Sequence, residues 1–125
     1  MRDVGVIGFA QDTAVDDRER NEVEIVSPVV GEAIERSGMK RQDIGFTISG
    51  SCEFLAGVPF ACVMGLDGVG ALPPVKESHV EMDGAWALYE AWVAIQTGDV
   101  DSAIIYGFGK ASLGDLHEIL TLQTD

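Results

Sequence analysis

Positive charge is scarce in this chain. Among 125 residues, Lys and Arg number 8 against 21 Asp and Glu, a net charge of −13. Nucleic-acid binding draws its strength from basic side chains that displace counterions from phosphate, so this balance excludes a nucleic-acid partner. It argues equally against docking on an anionic membrane. A basic partner is compatible, but acidity spread this generally reads as solubility. Cysteine is nearly absent too. Cys52 and Cys62 lie ten apart, which matches no paired zinc spacing, and no metal site is expected. Met1 leads straight into a strand-like run, with no basic flank and cleavable apolar core. The expectation is therefore a soluble cytoplasmic protein whose two thiols stay reduced and serve as small buried hydrophobes. No uninterrupted apolar stretch reaches about 18 residues, so no transmembrane helix is expected.

Several catalytic signatures are missing as well. The sequence contains no Gly-Lys-Ser/Thr, no Gly-x-Ser-x-Gly and no His-Glu-x-x-His. The glycines at Gly5–Gly8 and Gly107–Gly109 lack the full phosphate-cradling pattern that opens a helix, so no dinucleotide cofactor is expected. His79 and His117 are the only imidazoles.

What is present is apolar material in α/β order. Apolar residues make up 46% of the chain, enough to build one domain of common size. Val4–Ala10 reads as a strand covered on both faces. Asp12–Asn21 is a polar loop. A helix follows over roughly Glu22–Ser37, with Val26, Val29, Val30, Ala33 and Ile34 on its apolar face and Gly38 as its stop. Pro28 fits the first turn if Ser27 is the N-cap, and kinks the helix if it begins earlier. Asp43–Gly50 reads as a second strand. Ser51–Pro74 is glycine-rich, with one weak helix over Phe60–Leu66. Val75–Met82 is a third strand, and Ser102–Phe108 a fourth. Leu113–Gln123 has apolar residues at helical spacing. Strands joined by helical crossovers imply a layered α/β fold on a mainly parallel sheet. Ligands of such sheets gather beyond the carboxyl ends of the strands, here Gly8–Gln11, Gly50–Glu53, Glu81–Gly84 and Gly107–Lys110.

The most informative stretch is His79–Ser112. From Ala85 to Ile95 only Glu90 is polar, and Trp86, Leu88, Trp92 and Ile95 point several ways round the helix axis. A helix apolar on every side belongs inside a larger protein, so the chain reads as incomplete. Glu81, Met82, Asp83 and Gly84 stand where a buried strand meets the start of that helix. Backbone N–H groups and a partial positive charge converge at such a start and suit an anion or an anionic nucleophile. Asp83 reads first as a plain N-cap. Glu81, facing an enclosed core, requires a partner. His79 near a strand end is more often a structural hydrogen bonder than a catalyst.

These residues resemble the thiolase superfamily, especially its sterol-carrier and lipid-transfer branch. Members of that branch read approximately Asn-Cys-Ala-Ser/Thr-Gly-Ser-x-Ala-Leu, then a helix, Gly-x-x-Asp and a strand ending Gly-x-Glu-Lys-Met-Ser. The corresponding residues here are Val80-Glu81-Met82-Asp83-Gly84-Ala85-Trp86-Ala87-Leu88, Gly98-Asp99-Val100-Asp101 and Gly107-Phe108-Gly109-Lys110-Ala111-Ser112. Val4–Ala10 and Ser37–Gly50 are similar to the family's first strand and its helix–strand joint. The likeness is greatest to thiolase-like lipid-transfer proteins of actinobacterial steroid side-chain breakdown.

The resemblance implies a partial thiolase-like N-terminal domain over residues 1–125, with the fifth strand of its sheet and the C-terminal domain absent. It also implies an acyl-CoA substrate bearing a steroid or lipid side chain, and acyltransferase or carbon–carbon lyase chemistry. Glu81 stands where the family has its nucleophilic cysteine. A carboxylate cannot hold an acyl group as a thioester, which disfavours thiolysis and leaves retro-aldol cleavage, with Glu81 as general base and Asp83 and His79 beside it. Two other readings stand: a non-catalytic subunit of a heteromeric complex, or a lipid-binding module. In each, the resemblance implies a homo- or hetero-oligomer paired through strand 75–82.

Overall fold

The computed structural model describes residues 1–13, 17, 19–51, 61–70, 76–109, 115, 117–118 and 121. At its centre is a five-residue strand, β1 (Phe46–Gly50), buried along its whole length. Its residues alternate between two faces, as a strand's must. Phe46 and Ile48 enter one core and Thr47 and Ser49 point to the other side. β2 (Glu77–Val80) and β3 (Ala103–Tyr106) flank β1, both parallel to it, in the order β2-β1-β3. The expected mixed α/β architecture on a parallel sheet is therefore present, at three strands among the described residues.

Helices cover both faces. α1 (Glu22–Ser37) begins one residue after Asn21, whose side chain accepts from the Glu24 N–H while the Glu24 carboxylate accepts from the Asn21 N–H. This reciprocal cap fixes the start ahead of Pro28. Pro28 therefore lies inside the helix, not in a first turn capped by Ser27. Gly38 ends it in a left-handed conformation, φ 71°, as expected. α2 (Ala61–Val69) is the helix whose glycines weaken it on paper. Those glycines have a packing reason. A Cβ on Gly68 would press on Val26 of α1, and one on Gly65 on the rings of Tyr106 and Phe108. With β3, these two helices enclose Val26, Val30, Val69, Ile104 and Tyr106.

α3 (Gly84–Gln96) covers the other face and seats Ala87 and Ala91 against Phe46, Ile48 and Val100. A helix apolar on every side was expected to exceed what 125 residues can enclose. Its outer side chains Trp86, Leu88 and Tyr89 are about half exposed. Trp86 and Tyr89 meet edge to face at 6.3 Å, and Tyr89 stacks on Trp92 at 6.1 Å.

The largest departure is the first expected strand. Val4–Ala10 forms no strand, and Val6 and Ile7 are 79% and 62% exposed. An apolar run becomes a strand only when another main chain lies alongside to pair with it. Among the described residues none does, and the run is tied down by side chains alone. Arg2 reaches Gln96, the Ile95 carbonyl and Asp101, and Arg36 donates to the Phe9 carbonyl. The expected tail helix Leu113–Gln123 falls largely outside the described residues, as do Cys52, Glu53 and Lys110. No helix among the described residues is long and apolar enough to cross a membrane.

Candidate functional site

The carboxyl ends of the three strands are drawn tightly together. A Cβ on Gly50, the last residue of β1, would collide with the Asp83 carbonyl and the Ala87 side chain. One on Gly107, just past β3, would collide with the Gly50 carbonyl. Glycine at both positions lets the start of α3 sit directly on the end of β1. That contact brings the β2–α3 turn, with Glu81 and Asp83, over the sheet.

Register does the rest. Ser49 is paired with His79 on one side and Tyr106 on the other. Parallel partners point to the same face, so these three side chains form one row across the sheet. The Ser49 hydroxyl lies 2.7 Å from His79 Nδ1, and His79 Nε2 lies 3.0 Å from Glu81 Oε2. Both bonds are satisfied in neutral imidazole when the ring proton is on Nε2. Ser49 then donates to Nδ1, and Nε2–H donates to Glu81. The chain of bonds runs from the interior outward. Ser49 is 2% exposed, the His79 side chain 24% and the Glu81 side chain 51%.

The expected site residues thus separate. His79 and Glu81 are joined. Asp83 is not part of their network: it is the N-cap of α3, accepting from Ala85 N at 2.9 Å and Trp86 N at 3.3 Å. That cap is worth about 0.5–2 kcal/mol, and it occupies the helix N-terminus with the protein's own carboxylate. Glu81 has the partner its position called for but not the enclosure, since half its side chain meets solvent. Ser49 is the residue that sequence reasoning missed. Nothing in Phe-Thr-Ile-Ser-Gly marks it until the register with His79 is known.

The same face carries further polar groups. Arg41 donates to the Thr47 hydroxyl at 2.9 Å and to the Val69 carbonyl at 3.0 Å, and burial pushes its guanidinium below the usual value. The Tyr106 hydroxyl is buried without a hydrogen-bond partner. Its register neighbour Ser49 is committed to His79 and lies near enough to the phenol only to oppose the effect of burial in part. Burial raises the Tyr106 phenol from 10.0 to about 12. Cys62 lies half-buried on α2. Among the described residues, no cluster of three or more His, Cys, Asp or Glu is placed to hold a metal ion.

The chemistry open to this arrangement is proton transfer at Glu81. Glu81 Oε2 is held by His79, and half of the Glu81 side chain meets solvent. Ser49, 2% exposed, is too deeply buried to reach a substrate as a nucleophile. Hydrolysis through an acyl-serine is therefore not what this geometry supports. No family model matches the chain, and no curated protein matches its sequence.

Proposed function

We propose that this chain supplies a general base, Glu81 backed by His79 and Ser49, to a carbon–carbon lyase of thiolase-like ancestry acting on a β-hydroxyacyl-CoA with a steroid or lipid side chain. The observation that carries the reading is the hydrogen-bonded chain ending on a solvent-reachable carboxylate at the carboxyl ends of parallel strands. The sequence resemblance supplies the substrate class, and Glu81 in place of the nucleophilic cysteine supplies the reaction type. In retro-aldol cleavage Glu81 accepts the proton of the β-hydroxyl group. The oxygen electrons form a carbonyl, the bond between the α and β carbons breaks, and its electron pair passes into the thioester enolate. A proton then returns to the α carbon. His79 Nε2–H holds the carboxylate in place, and Ser49 holds the ring in the tautomer that allows this.

A second reading has its own support. Glu81 is open to solvent, the outer face of α3 is aromatic and uncovered, and β2 has a free edge among the described residues. A subunit whose site is completed by another chain, paired along strand 75–82, fits these features. The test of the first reading is Glu81→Gln in the complete assembly, assayed on a β-hydroxyacyl-CoA. Removal of a general base lowers kcat about 10²–10⁴-fold. Unchanged turnover would sink the proposal and leave the non-catalytic reading.

A further inference from the structure

Ser49 stands between two groups that compete for its one hydroxyl hydrogen. On one side is His79 Nδ1, at 2.7 Å. On the other is Tyr106, its register neighbour on β3, whose hydroxyl oxygen is buried without a well-formed hydrogen bond. The phenol is fixed in place. Gly65 of α2 lies against its tip, where a Cβ would come within 3.2 Å of the hydroxyl oxygen. Solvent does not reach that oxygen, so its lost hydration is not made good. The ring of His79 bonds only Ser49 and Glu81 among the described residues. The other titratable groups on this face are Glu77, two residues earlier on β2, Arg41, bonded to the Thr47 hydroxyl, and Cys62 on α2.

With a neutral imidazole the hydrogen belongs to His79. Nδ1 is then a bare acceptor, and Ser49 donates to it. Protonation reverses that bond, because both ring nitrogens become donors. Nδ1–H then donates to the Ser49 oxygen, and the Ser49 hydrogen has to leave the ring. The Thr47 hydroxyl on the same face is already engaged by Arg41, whereas the Tyr106 oxygen stands open. We infer that protonation of His79 turns the Ser49 hydroxyl from the imidazole to Tyr106, so that a proton taken up near the surface is registered at the buried end of the row. The same proton changes the outer end. Nε2–H, 3.0 Å from Glu81 Oε2, becomes the charged half of an ion pair. A carboxylate held in that way is a weaker proton acceptor, so the row switches the base off in acid; this consequence rests on the proposed role of Glu81, and the turn of the hydroxyl does not.

The experiment is a side-chain NMR titration of the 125-residue chain from neutral into acid pH, following the ¹³C signals of His79 Cε1 and Tyr106 Cζ. The chain has two histidines and two tyrosines, so His117→Gln and Tyr89→Phe leave one signal of each kind. The Tyr106 signal is expected to shift with the midpoint of His79. In Ser49→Ala, His79 still titrates and the Tyr106 response is lost, while Ser49→Thr, which keeps a hydroxyl, retains it. The field of a charged imidazole acts on Tyr106 with or without the serine, so a response that survives Ser49→Ala in full overturns the switch. A Tyr106 signal that stays flat while His79 titrates in the unsubstituted chain overturns it as well. Neither signal depends on turnover, so failure of Glu81 as a base and failure of the switch are read separately.

Discussion

The two faces of one short sheet are built on opposite principles. Toward α3, Phe46 and Ile48 meet Ala87, Ala91 and Val100 with no polar side chain among them. Toward α1 and α2, the same strand presents Thr47 and Ser49, flanked by Arg41, His79 and Tyr106. Both faces are buried along β1, so the difference is not exposure. An apolar face is stabilised by area alone, whereas every polar group on the other face must find a partner or carry a cost. The first face holds α3 in position. The second carries the hydrogen-bonded chain that emerges at Glu81. Polar residues kept in a buried strand, one register row away from an exposed carboxylate, mark the candidate site.

The contrast can be broken from the apolar side with the largest effect. Ile48 is fully buried, so Ile48→Ala removes apolar contacts and leaves a cavity, with an expected loss of about 2–5 kcal/mol by chemical denaturation. A loss below about 1 kcal/mol would mean that the face is not packed as described. On the polar side, Ser49→Ala removes the donor to His79 Nδ1. The expected loss of stability is smaller, about 1 kcal/mol, because His79 is partly exposed and water can replace the hydroxyl. Its distinguishing consequence is release of the imidazole from a single tautomer, and Ser49→Thr, which keeps a hydroxyl, restores that preference.

The smallest change tests the buried Tyr106 hydroxyl, the one such group without a well-formed hydrogen bond among the described residues. Tyr106→Phe deletes a buried hydroxyl that bonds nothing, so stability at neutral pH is expected to stay level or rise slightly. At alkaline pH its effect has a definite sign. The folded phenol titrates near about 12 and the unfolded one near 10.0, so above pH 10 the unfolded chain loses this proton first. Stability due to Tyr106 is thus present below pH 10 and is lost as pH rises toward about 12. The wild-type unfolding free energy falls more steeply than that of Tyr106→Phe across this window. Parallel curves would contradict the burial of the phenol.

Much of the fold was legible because local rules and tertiary packing agree. The apolar stripe of α1, Gly38 at its end, Asp83 as the cap of α3 and the strand–helix order all follow from spacing and capping chemistry. The misreadings share a cause. Val4–Ala10 has the composition of a buried strand, but composition does not say whether a neighbouring main chain is there to pair with it. The glycines of α2 lower helix propensity, and only the approach of Val26 and Tyr106 explains why they are tolerated. Within the site, His79 and Glu81 were visible as residue types near a strand end. Ser49 was not, because its role depends on a register set by residues some thirty positions away.

The most direct measurement is the long-range ¹H–¹⁵N spectrum of the histidine side chains at neutral pH. With only two histidines, His79 is assigned by comparison with a single His117 variant. The account predicts that neutral His79 carries its proton on Nε2 alone, and that Ser49→Ala and Glu81→Gln each shift that balance. A ring protonated on Nδ1, or a tautomer mixture indifferent to both substitutions, would contradict the hydrogen-bonded chain on which the proposed chemistry rests.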